Sequence, residues 1–119
     1  MNERKFEVRK SYNLVPYQSA ISRMQNRVEK IINNQAPELF WLLEHPPLLT
    51  AGTSAKEEEL LIKDTLPIFA TNRGGKYIFH GPGIRIGYIM INIKENNHIK
   101  GDLKKYIYLI EQVKNWLLE

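Results

Sequence analysis

The 119 residues suffice for one domain or part of one, and they exclude two full domains at the usual ~100–150 residues each. A hydrophobic fraction of 43% with 25% charged residues argues for a soluble globular chain, and no apolar run approaches the ~20 residues of a membrane span. Zero cysteines exclude disulfides, thiolate metal ligands and a cysteine nucleophile within the chain, while 17 basic against 13 acidic residues leave a net charge of +4 that admits an acidic protein or a nucleic acid without demanding either.

Met1-Asn2-Glu3-Arg4-Lys5 leads into no apolar signal core, so secretion by that route is not expected. Phe6-Glu7-Val8-Arg9 alternates apolar and polar residues, as a strand does. Pro16 suits the first turn of a helix, and Tyr17, Ile21, Met24, Val28 and Ile31 then recur at steps of four and three. Arg23, Arg27 and Lys30 are expected on the wet side of that helix, which Asn33-Asn34-Gln35-Ala36-Pro37 should end.

Leu39 to Leu43 is a continuous apolar run of strand length, the mark of a central strand buried on both faces. Pro46-Pro47 stops it, because neither proline can donate to a ladder. Ala51-Gly52-Thr53 reads as a loop, and Ser54-Ala55-Lys56-Glu57 as a capping box opening a short helix through Leu61. Pro67 to Ala70 and Lys76 to Phe79 read as short strands, the second bracketed by the turns Arg73-Gly74-Gly75 and His80-Gly81-Pro82-Gly83. Ile84 to Ile93 reads as a longer strand, with Gly87 a bulge or a point of close approach. Asp102 is a good helix N-cap for the stripe Leu103, Ile107, Ile110, Val113 and Leu117.

The candidate chemistry concentrates between Arg73 and His80. Paired glycines allow positive φ and let a ligand approach backbone N–H groups. Arg73 adds five donors suited to a carboxylate or carbonyl, and His80 can donate or accept near neutral pH. Two ordinary hairpin turns with a packed His80 remain the plain alternative. Within the strand, Tyr77 and Phe79 share one face, and Lys76, Ile78 and His80 the other. If this segment lines a ligand pocket, His80 is the side chain expected on the pocket face, with Arg73 anchoring the turn or reaching a ligand carbonyl. No metal site is expected, since His45, His80 and His98 lack ligand-like spacing. Gly81 to Gly87 does not form a dinucleotide fingerprint, and no nucleophile elbow accompanies the His80 turn.

Leu42-Leu43-Glu44-His45-Pro46-Pro47, Thr50-Ala51-Gly52-Thr53, Arg73-Gly74-Gly75 and His80-Gly81-Pro82-Gly83 occur in the order seen in bacterial octanoyltransferases. The chain resembles this lipoyl(octanoyl) transferase family over nearly its whole length, and Gly87-Tyr88 and Asp102-Leu103 extend the match. The resemblance implies an α+β fold, a biotin/lipoate protein ligase-like mixed sheet with flanking helices on one face. It implies that residues 1–119 are the N-terminal portion of one catalytic domain, with an open sheet edge or uncovered apolar surface. It implies transfer of an octanoyl group from acyl carrier protein to a lysine of lipoyl domains, those of 2-oxoacid dehydrogenases and the glycine cleavage H protein, with no cofactor, nucleic acid or membrane. Arg73, Gly74, Gly75, Lys76, Tyr77, Ile78, Phe79 and His80 carry over as substrate-binding residues. No catalytic residue carries over, because the family's cysteine and its assisting lysine lie beyond the matched region, and Ile84 stands where the family usually has Gln. The chain alone is expected to be inactive. The alternatives are a non-catalytic acyl-binding or interaction module and, more remotely, a small basic nucleic-acid-binding protein.

Overall fold

The computed structural model describes residues 6–59, 66–95, 101–102 and 104–105. Among them are six strands and one long helix: β1 (Phe6–Lys10), α1 (Tyr17–Ile32), β2 (Glu38–Leu43), β3 (Leu48–Ala51), β4 (Ile68–Ala70), β5 (Tyr77–His80) and β6 (Ile86–Met90). They form two mixed three-stranded sheets, β1-β2-β6 and β4-β3-β5. The α+β architecture is therefore present, as two small sheets in place of one.

The first sheet is built on burial. All six residues of β2 are buried, because β2 is flanked on both sides, by β1 in parallel and β6 antiparallel. Leu39, Trp41 and Leu43 face α1 and join Val15, Ala20, Ile31 and Met90 in one core. Burying a side chain of this kind is worth ~1.5–3 kcal/mol. Trp41 Nε1 satisfies its polarity on Ser11 Oγ at 2.9 Å. On the other face Gly87 makes the expected close approach: a Cβ there would come within 2.6 Å of the Phe40 ring.

The helix starts after Pro16 and ends as expected at Asn33. Asn34 takes φ 58°, and Gln35 N–H donates back to Lys30 O at 2.8 Å, a Schellman-type closure. Its buried face is narrower than the sequence stripe. Ala20, Met24 and Ile31 pack inward, whereas Val28 is 39% exposed among the described residues. The cationic side chains also depart from a freely solvated face, since Arg27 donates to Pro37 O at 3.0 Å and to Glu7 at 3.3 Å.

Ala51, read as the start of a loop, is instead the last residue of Leu48–Ala51, a strand the sequence reading did not assign and the central one of the second sheet. After it, Ser54 opens no helix. Its N–H donates to Gly75 O at 3.0 Å, and only a single 3-10 turn follows at Glu57–Glu59. The predicted continuation to Leu61 lies outside the described residues. β6 is shorter than the predicted 84–93. Asp102 caps as expected, its Oδ1 accepting Lys104 N–H at 2.9 Å, and the Leu103 stripe beyond lies outside the described residues. Uncovered apolar side chains do occur among the described residues, with Phe6, Val8, Ile78 and Phe79 all 39–46% exposed. No described helix is long and apolar enough to cross a membrane.

Candidate functional site

The site is assembled on β3. In its antiparallel register with β5, Leu48 faces His80 and Thr50 faces Ile78. Directly paired residues share a face, so Thr50, Ile78 and His80 point to one side and Tyr77 and Phe79 to the other. Thr50 is buried, and its hydroxyl joins the two ends of the predicted segment, Arg73 and His80. Arg73 Nη2 donates to Thr50 Oγ1 at 2.8 Å, and His80 Nε2 lies 3.1 Å from the same oxygen.

Arg73 is occupied chiefly by backbone. Nη2 also donates to Thr50 O at 2.7 Å and Lys76 O at 3.3 Å, and Nη1 to Gly74 O at 3.0 Å. The guanidinium thus fills the inside of its own turn. Three further bonds attach that turn to the end of β3: Gly52 N–H to Lys76 O (2.7 Å), Thr53 N–H to Arg73 O (2.9 Å) and Ser54 N–H to Gly75 O (3.0 Å). The approach is so close that a Cβ on Gly52 would collide with the Gly75 carbonyl and come within 2.7 Å of Arg73 Nη1. Gly75 needs its freedom for φ 93°, whereas Gly74 has open space and no positive φ.

The second turn is held just as directly. Glu44 Oε1 accepts Gly83 N–H at 2.6 Å, and Ile84 N–H closes on Gly81 O at 3.0 Å. Beside it lies fully buried His45. Its Nδ1 is 2.7 Å from Val15 O and its Nε2 is 2.8 Å from the Tyr88 hydroxyl. A carbonyl only accepts, so Nδ1 carries a proton. In the neutral ring Nε2 then accepts from the Tyr88 hydroxyl. Burial, reinforced by Tyr17, pushes the Tyr88 phenol up to about 12, so it remains a protonated donor at neutral pH. Ring contacts continue from His45 to Tyr17 at 5.4 Å and to His80 at 6.0 Å, and from Tyr17 to Phe69 at 4.7 Å. This row of rings joins the two sheets.

His80 sits at the junction of both groups. Burial lowers its pKa below the ordinary histidine value, and the nearby His45 and Arg73 lower it further. The ring is therefore neutral at pH 7. Its Nδ1 is buried and finds no partner among the described residues. The arrangement presents one uncommitted imidazole nitrogen between a rigid glycine turn and a row of aromatic rings. Among the described residues no group of three or more potential metal ligands comes together.

Residues 16–116 match the family model for the lipoyl protein ligase A/B catalytic domain. This chain belongs to that family. Among similar proteins, the octanoyltransferase of Ehrlichia chaffeensis is 52% identical over 105 residues, which cover 88% of this chain and 47% of the relative. The octanoyltransferase of Zymomonas mobilis is 43% identical over 113 residues, covering 95% of this chain and 50% of the relative. That of Ehrlichia ruminantium is 48% identical, covering 88% and 48%. The chain spans about half the length of the curated relatives it matches.

In this lipoyl protein ligase A/B domain, Arg73 and His80 meet through Thr50, and Gly75 meets Gly52. Lys76 contributes its carbonyl to the turn, while the Ile78 and Phe79 side chains are 46% exposed. The sequence reading missed the part played by Thr50. It also placed Tyr17 only in a helix stripe, left Tyr88 as a strand residue and gave His45 little weight. The available signal for these was polar atoms inside apolar runs, each of which must find a partner once buried.

Proposed function

We propose that this chain supplies the N-terminal portion of an octanoyltransferase catalytic domain, with the Arg73–His80 segment and Thr50 forming one wall of its acyl-substrate site. In this reading the octanoyl group passes from acyl carrier protein to a lysine of lipoyl domains, in the cytoplasm. The observation that carries the proposal is His80, its Nδ1 without a partner among the described residues, joined through the Thr50 hydroxyl to Arg73 of the glycine turn, in a chain of this family. An acyl thioester is uncharged, and its carbonyl oxygen can accept from a neutral ring N–H and from backbone N–H groups in a partly dry site. Arg73 acts here by shaping the turn. Transfer through an acyl-thioester splits one difficult step into two. It also needs a thiolate, and these 119 residues hold no cysteine, so the chain by itself transfers nothing.

The absent thiol also favours a second reading, an acyl-binding module without catalysis. One experiment separates the two. The matched segment of the Ehrlichia chaffeensis octanoyltransferase is replaced by this chain, and the chimera is incubated with octanoyl-acyl carrier protein and an apo lipoyl domain. Acceptor mass is then read. Octanoylation by the chimera, lost on Thr50→Val and absent for the chain alone, is the expected result. A folded chimera that transfers nothing overturns the proposal. The second reading prevails when the isolated chain still binds octanoyl-acyl carrier protein under that outcome.

A further inference from the structure

Thr50 and His80 share a hydrogen bond whose direction is decided by the groups around it. We propose that Arg73 and Thr50 hold His80 as the tautomer protonated at Nδ1, so that the ring offers the acyl-substrate site a hydrogen-bond donor and no base at that nitrogen. The tautomer stands on the geometry of this chain alone; naming its acceptor as the carbonyl oxygen of an acyl thioester rests on the octanoyltransferase reading.

A guanidinium carries donors and no acceptor. Arg73 Nη2 therefore donates to Thr50 Oγ1 at 2.8 Å, and the hydroxyl cannot give its own proton back. Thr50 is 3% exposed, so that proton needs an acceptor inside the protein. Among the described residues the acceptor in reach is His80 Nε2, 3.1 Å from the oxygen. The two side chains lie diagonally on one face of the β3–β5 pair, because Thr50 is in register with Ile78 and Leu48 with His80. Nε2 thus accepts. Burial, His45 and Arg73 all lower the His80 pKa, so the ring is neutral at pH 7 and its one proton sits on Nδ1.

The opposite tautomer leaves more groups unsatisfied. With the proton on Nε2, the Thr50 hydroxyl proton and the Nδ1 lone pair would both be buried without partners among the described residues; with it on Nδ1, the Nδ1–H alone is. His45 cannot take that proton, since its own Nδ1 donates to Val15 O and its Nε2 accepts from the Tyr88 hydroxyl. A buried donor without an acceptor is completed by a ligand that brings one. A carbonyl oxygen does so, whereas a protonated amine has only hydrogens to offer. Thr50 and Arg73 are positioning residues in this arrangement, acting on the substrate through the ring that they orient.

The test labels the histidine rings of the whole chain with nitrogen-15 and reads two-bond proton–nitrogen correlations at about pH 8, above the ordinary histidine pKa. His80→Gln assigns the ring by the signals it removes. The expected His80 ring has Nδ1 in the protonated range and Nε2 in the unprotonated one. Thr50→Val should move the proton to Nε2, and Thr50→Ser, which keeps the hydroxyl, should restore the parent pattern. Circular dichroism checks folding, and the parent spectrum alone decides the tautomer should Thr50→Val unfold. The ligand is tested on the chimera with the Ehrlichia chaffeensis enzyme, using octanamide as an unreactive carbonyl probe and octylamine as a control without an acceptor oxygen. Octanamide should shift the His80 Nδ1–H signal and octylamine should not. A parent ring protonated on Nε2, a doubly protonated ring, an unchanged tautomer in folded Thr50→Val, or a chimera that transfers octanoyl groups while octanamide leaves the Nδ1–H signal unmoved would each overturn the proposal. A chimera that transfers nothing overturns the acyl-transfer reading and the carbonyl assignment with it, and the tautomer is still decided on the chain alone.

Discussion

The two sheets are held together by different forces. In β1-β2-β6 the central strand is buried along its whole length and packs against α1. In β4-β3-β5 both outer strands are half-buried or exposed, and the fixed points are the Arg73 guanidinium, the Thr50 hydroxyl and backbone bonds between residues 52–54 and 73–76. Apolar contacts tolerate sliding and side-chain repacking, whereas hydrogen bonds fix distance and direction. The sheet that positions His80 is the one built from directional bonds.

Trp41→Ala tests the apolar side of this contrast and should have the largest effect. It should cost ~3–5 kcal/mol in a urea titration, and a loss under ~1 kcal/mol would show that burial is not what holds the first sheet. Thr50→Val keeps the volume and removes the hydroxyl. It should cost ~1–3 kcal/mol, because Arg73 and His80 lose a shared partner. A neutral outcome would mean that backbone bonds alone hold the second sheet.

Much of the first sheet was legible because a run such as Leu39 to Leu43 has only one way to hide from water. The second sheet was less so. Leu48 to Thr50 carries no assignment between Pro47 and the predicted Ala51–Thr53 loop, and nothing local announces that Thr50 will meet residues 23 and 30 positions away. Ser54-Ala55-Lys56-Glu57 carries a capping signal that the turn at Gly75 overrides, since the Ser54 N–H is already used there. Arg73 and His80 stood out by residue type. Their connection is a product of strand register, which sequence periodicity does not specify across 30 residues.

Two glycine substitutions sharpen the contrast at a single turn. Gly52→Ala should cost ~1–3 kcal/mol, since its Cβ meets backbone that cannot yield. Gly74→Ala, in open space, should stay within ~0.5 kcal/mol. Thermal melts of the pair decide it, and equal effects would refute the close approach.

The smallest expected effect is on pH dependence. The folded-state pKa of His80 is lowered, so below about pH 6.5 the unfolded chain binds a proton that the folded chain refuses. Stability should therefore fall as pH drops through that value and level off below the folded pKa. His80→Gln should flatten this part of the profile relative to the parent chain, and an unchanged slope would show that the ring is not desolvated.

Leu43 pairs with Ile86, so everything from residue 44 to residue 85, the second sheet included, is one excursion from the first. The Glu44–Gly83 bond at 2.6 Å clasps that excursion at its base. Closing an unstructured loop of this length carries an entropic cost that grows with the logarithm of its length, and a folded second sheet shortens the effective loop. The two sheets are therefore linked as a knot and its bight: loosening the Arg73 turn lengthens the slack that β2 and β6 must gather, and a ligand that tightens the turn raises the melting point of strands it never touches.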